Sequence, residues 1–296
     1  MKRIAGFLLL ILIFATQVTF AKSLVLVHGS LSSVNIWGGS GISYVLQQND
    51  WSDQGIVYLR YDGTAVLDKN PQGKDADLMF YRVLLPAEAP IELQSDYLSK
   101  SLDLISTLQT DQELIIVAHS TGGVVSRMSL VNGADKNNIT QLITIASPHL
   151  GTPRAADALN ITQIPFPMSE MAGIAADMSG IPEYRSLQRS SYLLYELLNH
   201  KGSLLNWLNN QEHPEIKYTS IIRAYDDVVP GFSQDMNNVP ALKGKSEHFI
   251  TPGDHSLYPA DGMMILKLLD DKEKAVEVET ETKSKTGTAK EIADKK

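Results

Sequence analysis

Ser120 stands at a break in the pattern of the chain. An apolar run, Leu114-Ile115-Ile116-Val117, precedes it, and Gly122-Gly123-Val124-Val125 follows. The segment Ala118-His119-Ser120-Thr121-Gly122 therefore reads as a strand turning sharply into a helix. Small residues two places before and after the serine let the strand and helix backbones approach each other. Such a turn holds the serine in a strained conformation with its hydroxyl exposed. That suits a nucleophile for acyl transfer through a covalent serine ester. Ala118 occupies a position where glycine is usual, and its methyl crowds the turn without forbidding it. The plain alternative is a serine in an ordinary strand-to-helix loop, so the rest of the chain has to decide.

A serine nucleophile needs a base and an acid to orient it, in the chain order serine, acid, histidine, with the acid following a strand. After the strand candidate Tyr218–Ile222 comes Arg223-Ala224-Tyr225-Asp226-Asp227-Val228-Val229-Pro230. Adjacent carboxylates cannot both point at one histidine. Asp226 is preferred, because its D-x-V-V-P register aims the carboxylate at the strand ends. Asp227 fits a solvated turn and remains the alternative. Of seven histidines, His255 lies in Pro252-Gly253-Asp254-His255-Ser256, after the last strand and before the last helix, where the base belongs. Backbone N–H donors for an oxyanion are expected from Thr121 and from Ser30 in Val27-His28-Gly29-Ser30-Leu31, where Gly29 permits an unusual backbone angle. Leu31 is the neighbouring alternative donor and, with residues of a cap, a candidate substrate contact. His28 should brace this loop. The chemistry needs no cofactor, and no metal site is expected.

The elements that must position these groups alternate. Strand candidates are Leu24–Val27, Ile56–Leu59, Leu114–Val117, Leu142–Ile145, Tyr218–Ile222 and His248–Ile250. Several are unbroken Val/Ile/Leu runs, as parallel strands buried on both faces require. Ile91–Leu108 reads as a helix with Leu93, Tyr97, Leu98, Leu102, Ile105 and Leu108 near one face, and Met263–Leu269 begins the last helix. This predicts an α/β fold with a mostly parallel, doubly wound sheet over residues 22–269. Two stretches interrupt the alternation. Asp68–Pro90 reads as a long insertion with an apolar middle, Leu78-Met79-Phe80-Tyr81. Residues 154–214 read as a helical cap carrying Ile164, Phe166, Met168, Met171, Ile174, Met178 and Ile181, followed by a helix through Tyr192–Leu198. These side chains suit either an extra core layer or the apolar underside of a lid.

The first 21 residues resemble a secretory signal: Lys2 and Arg3, an apolar run from Ile4 to Phe14, and small residues ending at Ala21. Cleavage after Ala21 would export the chain to the periplasm or the exterior, and an uncleaved anchor is the alternative. There is no cysteine, hence no disulfide, lipid-modified cysteine or thiolate metal site. The formal charge of −8 argues against nucleic acid and anionic headgroups as partners, while leaving transient apolar contact with a lipid surface open. Residues 270–296, rich in Lys, Glu, Asp and Thr, read as a disordered charged tail.

Together these parts resemble the α/β-hydrolase superfamily, and within it bacterial triacylglycerol lipases and esterases. The resemblance runs from Leu24 to Leu269 and rests on His28-Gly29, Ala118-His119-Ser120-Thr121-Gly122, Asp226 and His255. It also rests on Ser147-Pro148-His149-Leu150-Gly151-Thr152, similar to the S-P-H-x-G-T motif of such lipases, and on Leu187–Leu193, similar to a cap segment. His149 is expected to be structural. Larger secreted relatives bind calcium through an aspartate two residues after the histidine. Leu257 occupies that position here, so the calcium site is not carried over. The resemblance implies a lipase or esterase acting on lipid acyl esters. A phospholipase, thioesterase or acyltransferase on the same machinery is the alternative, and a non-catalytic lipid- or partner-binding envelope protein is the reading from a different class.

Overall fold

Alternate side chains of the first strand, β1 (Lys22–Val27), enter two separate cores. Val25 and Val27 pack on one side of the sheet with Leu98, Leu102, Val124, Val125 and Met128. Leu24 and Leu26 pack on the other with Trp37, Ile42, Leu46 and Ile265. Both faces of the strand are buried, and after Lys22 and Ser23 its remaining residues, Leu24-Val25-Leu26-Val27, form a continuous apolar run. This chain, seen in a computed structural model, is described over residues 21–109, 112–162, 168, 170–171 and 183–270. The signal-like segment up to residue 20 and the tail from residue 271 lie outside the described residues.

Among the described residues, eight strands form one sheet in the order β3-β2-β4-β1-β5-β6-β7-β8. The others are β2 (Ser52–Leu59), β3 (Ala65–Lys69), β4 (Leu78–Val83), β5 (Glu113–His119), β6 (Ile139–Ile145), β7 (Lys217–Arg223) and β8 (Ser246–Thr251). All neighbouring pairs are parallel except β2 and β3. Short helices α1 (Ile36–Gly39) and α2 (Ile42–Gln48) lie on the Trp37 side with the last helix, residues 259–270. The opposite face carries α3 (Ile91–Leu108) and α4 (Thr121–Val131). No helix of the described residues is long and apolar enough to cross a membrane.

Asp68–Pro90 is not an insertion. Leu78–Val83 is β4, an inner strand paired with both β1 and β2. Its apolar run is bounded by polar loops and ends in Arg82-Val83, which disguises it. Arg82 is accommodated by an ion pair with Asp53 of β2, at 3.0 Å. The helix α3 has the expected bounds, but Leu93 and Leu108 are exposed. The buried face instead uses Ile91, Gln94, Ser95, Leu98, Ser101, Leu102 and Ile105. Small hydroxyl residues bring α3 close to α4 there, with Ser99 and Ser129 oxygens 2.8 Å apart.

The stretch expected as a cap holds α5 (Pro153–Thr162), α6 (Glu183–Arg189), α7 (Ser191–Glu196) and α8 (Leu204–Asn209) among its described residues. Leu193, Leu197, Leu205 and Leu208 join the α3–α4 core. Met168 and Met171 are exposed, so they are not core residues. Ile164, Phe166, Ile174, Met178 and Ile181 lie outside the described residues. Glu196 accepts the first amide of α3, Ile91 N, at 2.6 Å, and Glu88 pairs with Arg189 and accepts from Ser186. The cap is thus tied to the loop between β4 and α3.

Candidate active site

Every loop of the site leaves the carboxyl end of a parallel strand, the side on which open α/β sheets form their crevice. Ala118 of β5 is level with Val27 of β1, so the loop after β1 lies beside the serine turn. At Ser120 the chain takes φ 53° and ψ −132°, a conformation that costs a non-glycine residue roughly 1–3 kcal/mol. Close packing then accounts for two glycines. A Cβ on Gly122 would lie 2.5 Å from the His28 carbonyl oxygen, and one on Gly29 would lie 2.7 Å from Ser120 Cβ. Ala118 is fully buried in the strand and its methyl fits the core there.

Ser120, His255 and Asp226 are brought together. Ser120 Oγ lies 2.9 Å from His255 Nε2, and His255 Nδ1 lies 2.8 Å from Asp226 Oδ2. Asp226 is fully buried as a side chain. Its Oδ1 accepts the amides of Val228 and Val229, each at 2.8 Å, and its Oδ2 also accepts from Gln234 Nε2 at 3.1 Å. Burial works to raise this carboxyl, but the bonds from His255, Val229 and Val228 outweigh it and leave its pKa below the ordinary value. Asp226 therefore stays an anion with its oxygens fully engaged. Asp227 points away. It is 74% exposed and faces Arg154 at the start of the cap, whose Nη2 lies 3.4 Å from Asp227 Oδ2.

His119, next to the serine, holds His255 by its backbone: its Nε2 donates to the His255 carbonyl at 2.8 Å. The two rings sit 5.2 Å apart. Burial, aided by the nearby His255, pushes the His119 imidazole down to about 3, so it stays neutral. His28 braces its loop as expected. Its Nδ1 donates to Gly29 O at 2.9 Å and its Nε2 accepts Leu85 N at 3.1 Å.

Ser30 and Thr121 are adjacent, with an added contact between them. The Ser30 N–H donates to Thr121 Oγ1 at 2.6 Å. Leu31 adopts φ 52° and is 51% exposed at the rim. Thr121 opens α4, so the positive end of that helix faces the serine.

Behind the nucleophile turn lies a buried cation with imidazole partners. Arg127 of α4 donates Nε to His213 Nε2 at 3.1 Å and Nη2 to Asn209 Oδ1 at 2.9 Å, with Nη1 3.5 Å from His149 Nδ1. His149 turns its Nε2 to Thr144 Oγ1 at 3.1 Å, and its carbonyl accepts Asn209 Nδ2 at 3.0 Å. Burial holds His149 well below its ordinary value and His213 down to about 4, so both rings are neutral acceptors for the guanidinium. His149 is thus structural. It ties the loop after β6 to α4 and the cap.

Sequence reading missed Gln234, Arg223 and His119 as supports of the site. All are buried polar residues. A charged residue closing the apolar strand Tyr218–Ile222 was the available signal for Arg223.

A family model described as a PGAP1-like alpha/beta domain matches residues 89–164, which span α3, β5, the serine turn, α4 and β6. No curated protein sequence matches the chain. Among solved structures, the lipase BlEst2 of Bacillus licheniformis in its mature form is similar, with a TM-score of 0.56 at 17% identity, over 84% of this chain and 92% of that one. The peroxisomal alpha-beta-hydrolase Lpx1 of Saccharomyces cerevisiae gives 0.50 at 14% identity, over 88% and 80%. Identities this low speak for the fold. Together with the parallel sheet, the strand order and the turn at Ser120, they show that the chain has an α/β-hydrolase fold.

Proposed function

We propose that the protein is a serine carboxylic-ester hydrolase, a lipase or esterase acting on lipid acyl esters. The observation that carries this reading is the unbroken line from Ser120 Oγ through the His255 ring to the buried Asp226 carboxylate. Ser120 Oγ attacks the acyl carbon while His255 Nε2 takes its proton. Asp226 keeps the proton on Nδ1 and stabilises the imidazolium. The amides of Thr121 and Ser30 receive the oxyanion, aided by the start of α4. Collapse expels the alcohol, which takes the proton from Nε2. Water, deprotonated by the same nitrogen, then attacks the acyl-enzyme and releases the acid. Leu31 and cap residues would contact the acyl chain, and the exposed Leu31 suits brief contact with a lipid surface. Export through residues 1–21 would place this activity in the periplasm or outside the cell.

The test is hydrolysis of p-nitrophenyl butyrate and palmitate beside Ser120→Ala, with labelling by a fluorophosphonate. Activity and label should both vanish in the variant, and a preference for palmitate would favour a lipase. A folded protein that neither turns over an ester nor labels at Ser120 would refute the reading.

A further inference from the structure

The loop that carries His255 is gripped by groups that border Ser120 and Asp226 in the chain. Its carbonyls at Pro252, Gly253, His255 and Ser256 accept from Arg223 Nη1, Tyr225 N, His119 Nε2 and Arg223 Nη2 in turn. Arg223 contributes most. Its guanidinium is buried inside the loop, with Nη1 2.8 Å from Thr251 Oγ1 and Nη2 3.1 Å from Ser256 O and 2.5 Å from Asp261 Oδ2. The Tyr258 ring covers it, 5.4 Å from Cζ. Asp261 Oδ2 also accepts Tyr258 N at 2.8 Å, closing the far end of the loop. The same residue reaches the acid. Arg223 N donates to Gln234 Oε1 at 2.8 Å, and Gln234 Nε2 donates to Asp226 Oδ2.

A buried ion pair is a poor way to gain stability, because well-packed apolar residues do as well or better. What the planar fork offers is fixed directions to several acceptors at once, which a lysine ammonium does not. We propose that Arg223 is the positioning residue of the base: paired with Asp261 inside the histidine loop, it sets the His255 imidazole against both Ser120 and Asp226. The inference rests on the serine-hydrolase reading for its kinetic consequence, but not for its geometric one.

Two variants test it. Arg223→Lys keeps the charge for Asp261 and loses the fork. The double variant Arg223→Met with Asp261→Leu removes both charges together, so neither is left buried alone. The expected result is a fall in kcat of about tenfold for the first and about a hundredfold for the second, with KM changed less than about twofold, the scale of a base misplaced by an ångström. Melting of the double variant should stay closer to wild type than that of Arg223→Met alone. The low-field NMR resonance of the His255 Nδ1 proton, held by Asp226, should shift or broaden in both variants. A double variant with wild-type kcat, or an unmoved Nδ1 resonance in Arg223→Lys, would overturn the proposal. If the wild type fails to label at Ser120, the hydrolase reading falls, and the Nδ1 resonance alone still decides whether Arg223 positions His255.

Discussion

The Ser30 N–H, expected to hold a developing oxyanion, already donates to Thr121 Oγ1 at 2.6 Å. Covalent geometry keeps a threonine hydroxyl near its own amide, so this oxygen lies between the two expected donors. On the proposed mechanism, a substrate oxygen would take its place by turning the Thr121 side chain.

Thr121→Ala should therefore raise kcat/KM for short esters by up to about fivefold, since the net worth of one such hydrogen bond is about 1 kcal/mol. Steady-state kinetics on p-nitrophenyl butyrate measure this. A fall of about tenfold or more would show that the hydroxyl donates to the oxyanion.

Ser120 stores strain at φ 53°. Ser120→Gly should abolish turnover while stabilising the fold by about 1 kcal/mol, because glycine adopts this conformation without strain. Urea unfolding of Ser120→Gly beside Ser120→Ala separates relief of strain from loss of the hydroxyl.

Acid should weaken the fold through His119 and His213, which burial holds down to about 3 and about 4 from an ordinary 6.5. The unfolded rings take up protons first, so this stabilisation is complete above pH 6.5. It is lost as pH falls through 6.5 towards those lower values. Each ring contributes a slope of about 1.4 kcal/mol per pH unit in that window. Urea melts between pH 7.5 and 4.5 read the slope; His149 is held down in the same way, so His213→Gln should lower it by about a third.

Glu196 holds the first amide of α3 from the cap helix α7, at 2.6 Å. Glu196→Ala should cost about 1 kcal/mol, the scale of a lost helix cap. Hydrogen exchange should quicken at the start of α3 and along α7. Exchange confined to one of the two would mean that the bond does not couple them.

Much of this molecule was legible because local chemistry enforced it. The apolar runs of β1, β5 and β6 could only be strands buried on both faces, and Gly29 and Gly122 mark the closest backbone approaches to the serine turn. The register after Asp226 favoured it but left Asp227 open; the structure adds the amides of Val228 and Val229, which fold back onto the Asp226 carboxylate. The inner strand β4 was hidden, since Arg82 breaks its apolar pattern and finds its partner on β2. The edge strand β3 is short, and its three apolar residues, Ala65, Val66 and Leu67, are only half-buried ahead of exposed Asp68 and Lys69. Arg223 is marked only as a charge at the end of its strand, and nothing local pairs it with Asp261, 38 residues away.

The placing of β1 bears on how the chain assembles. Its partners are β4 and β5, so residues 22–27 must wait for residues 78–83 and 113–119 before either edge is paired. Pairings this distant in sequence are slow to form. The loop with Ser30 and the turn with Ser120 hang from that same β1–β5 pair. The two loops that carry Ser30 and Ser120 thus come together in one late event.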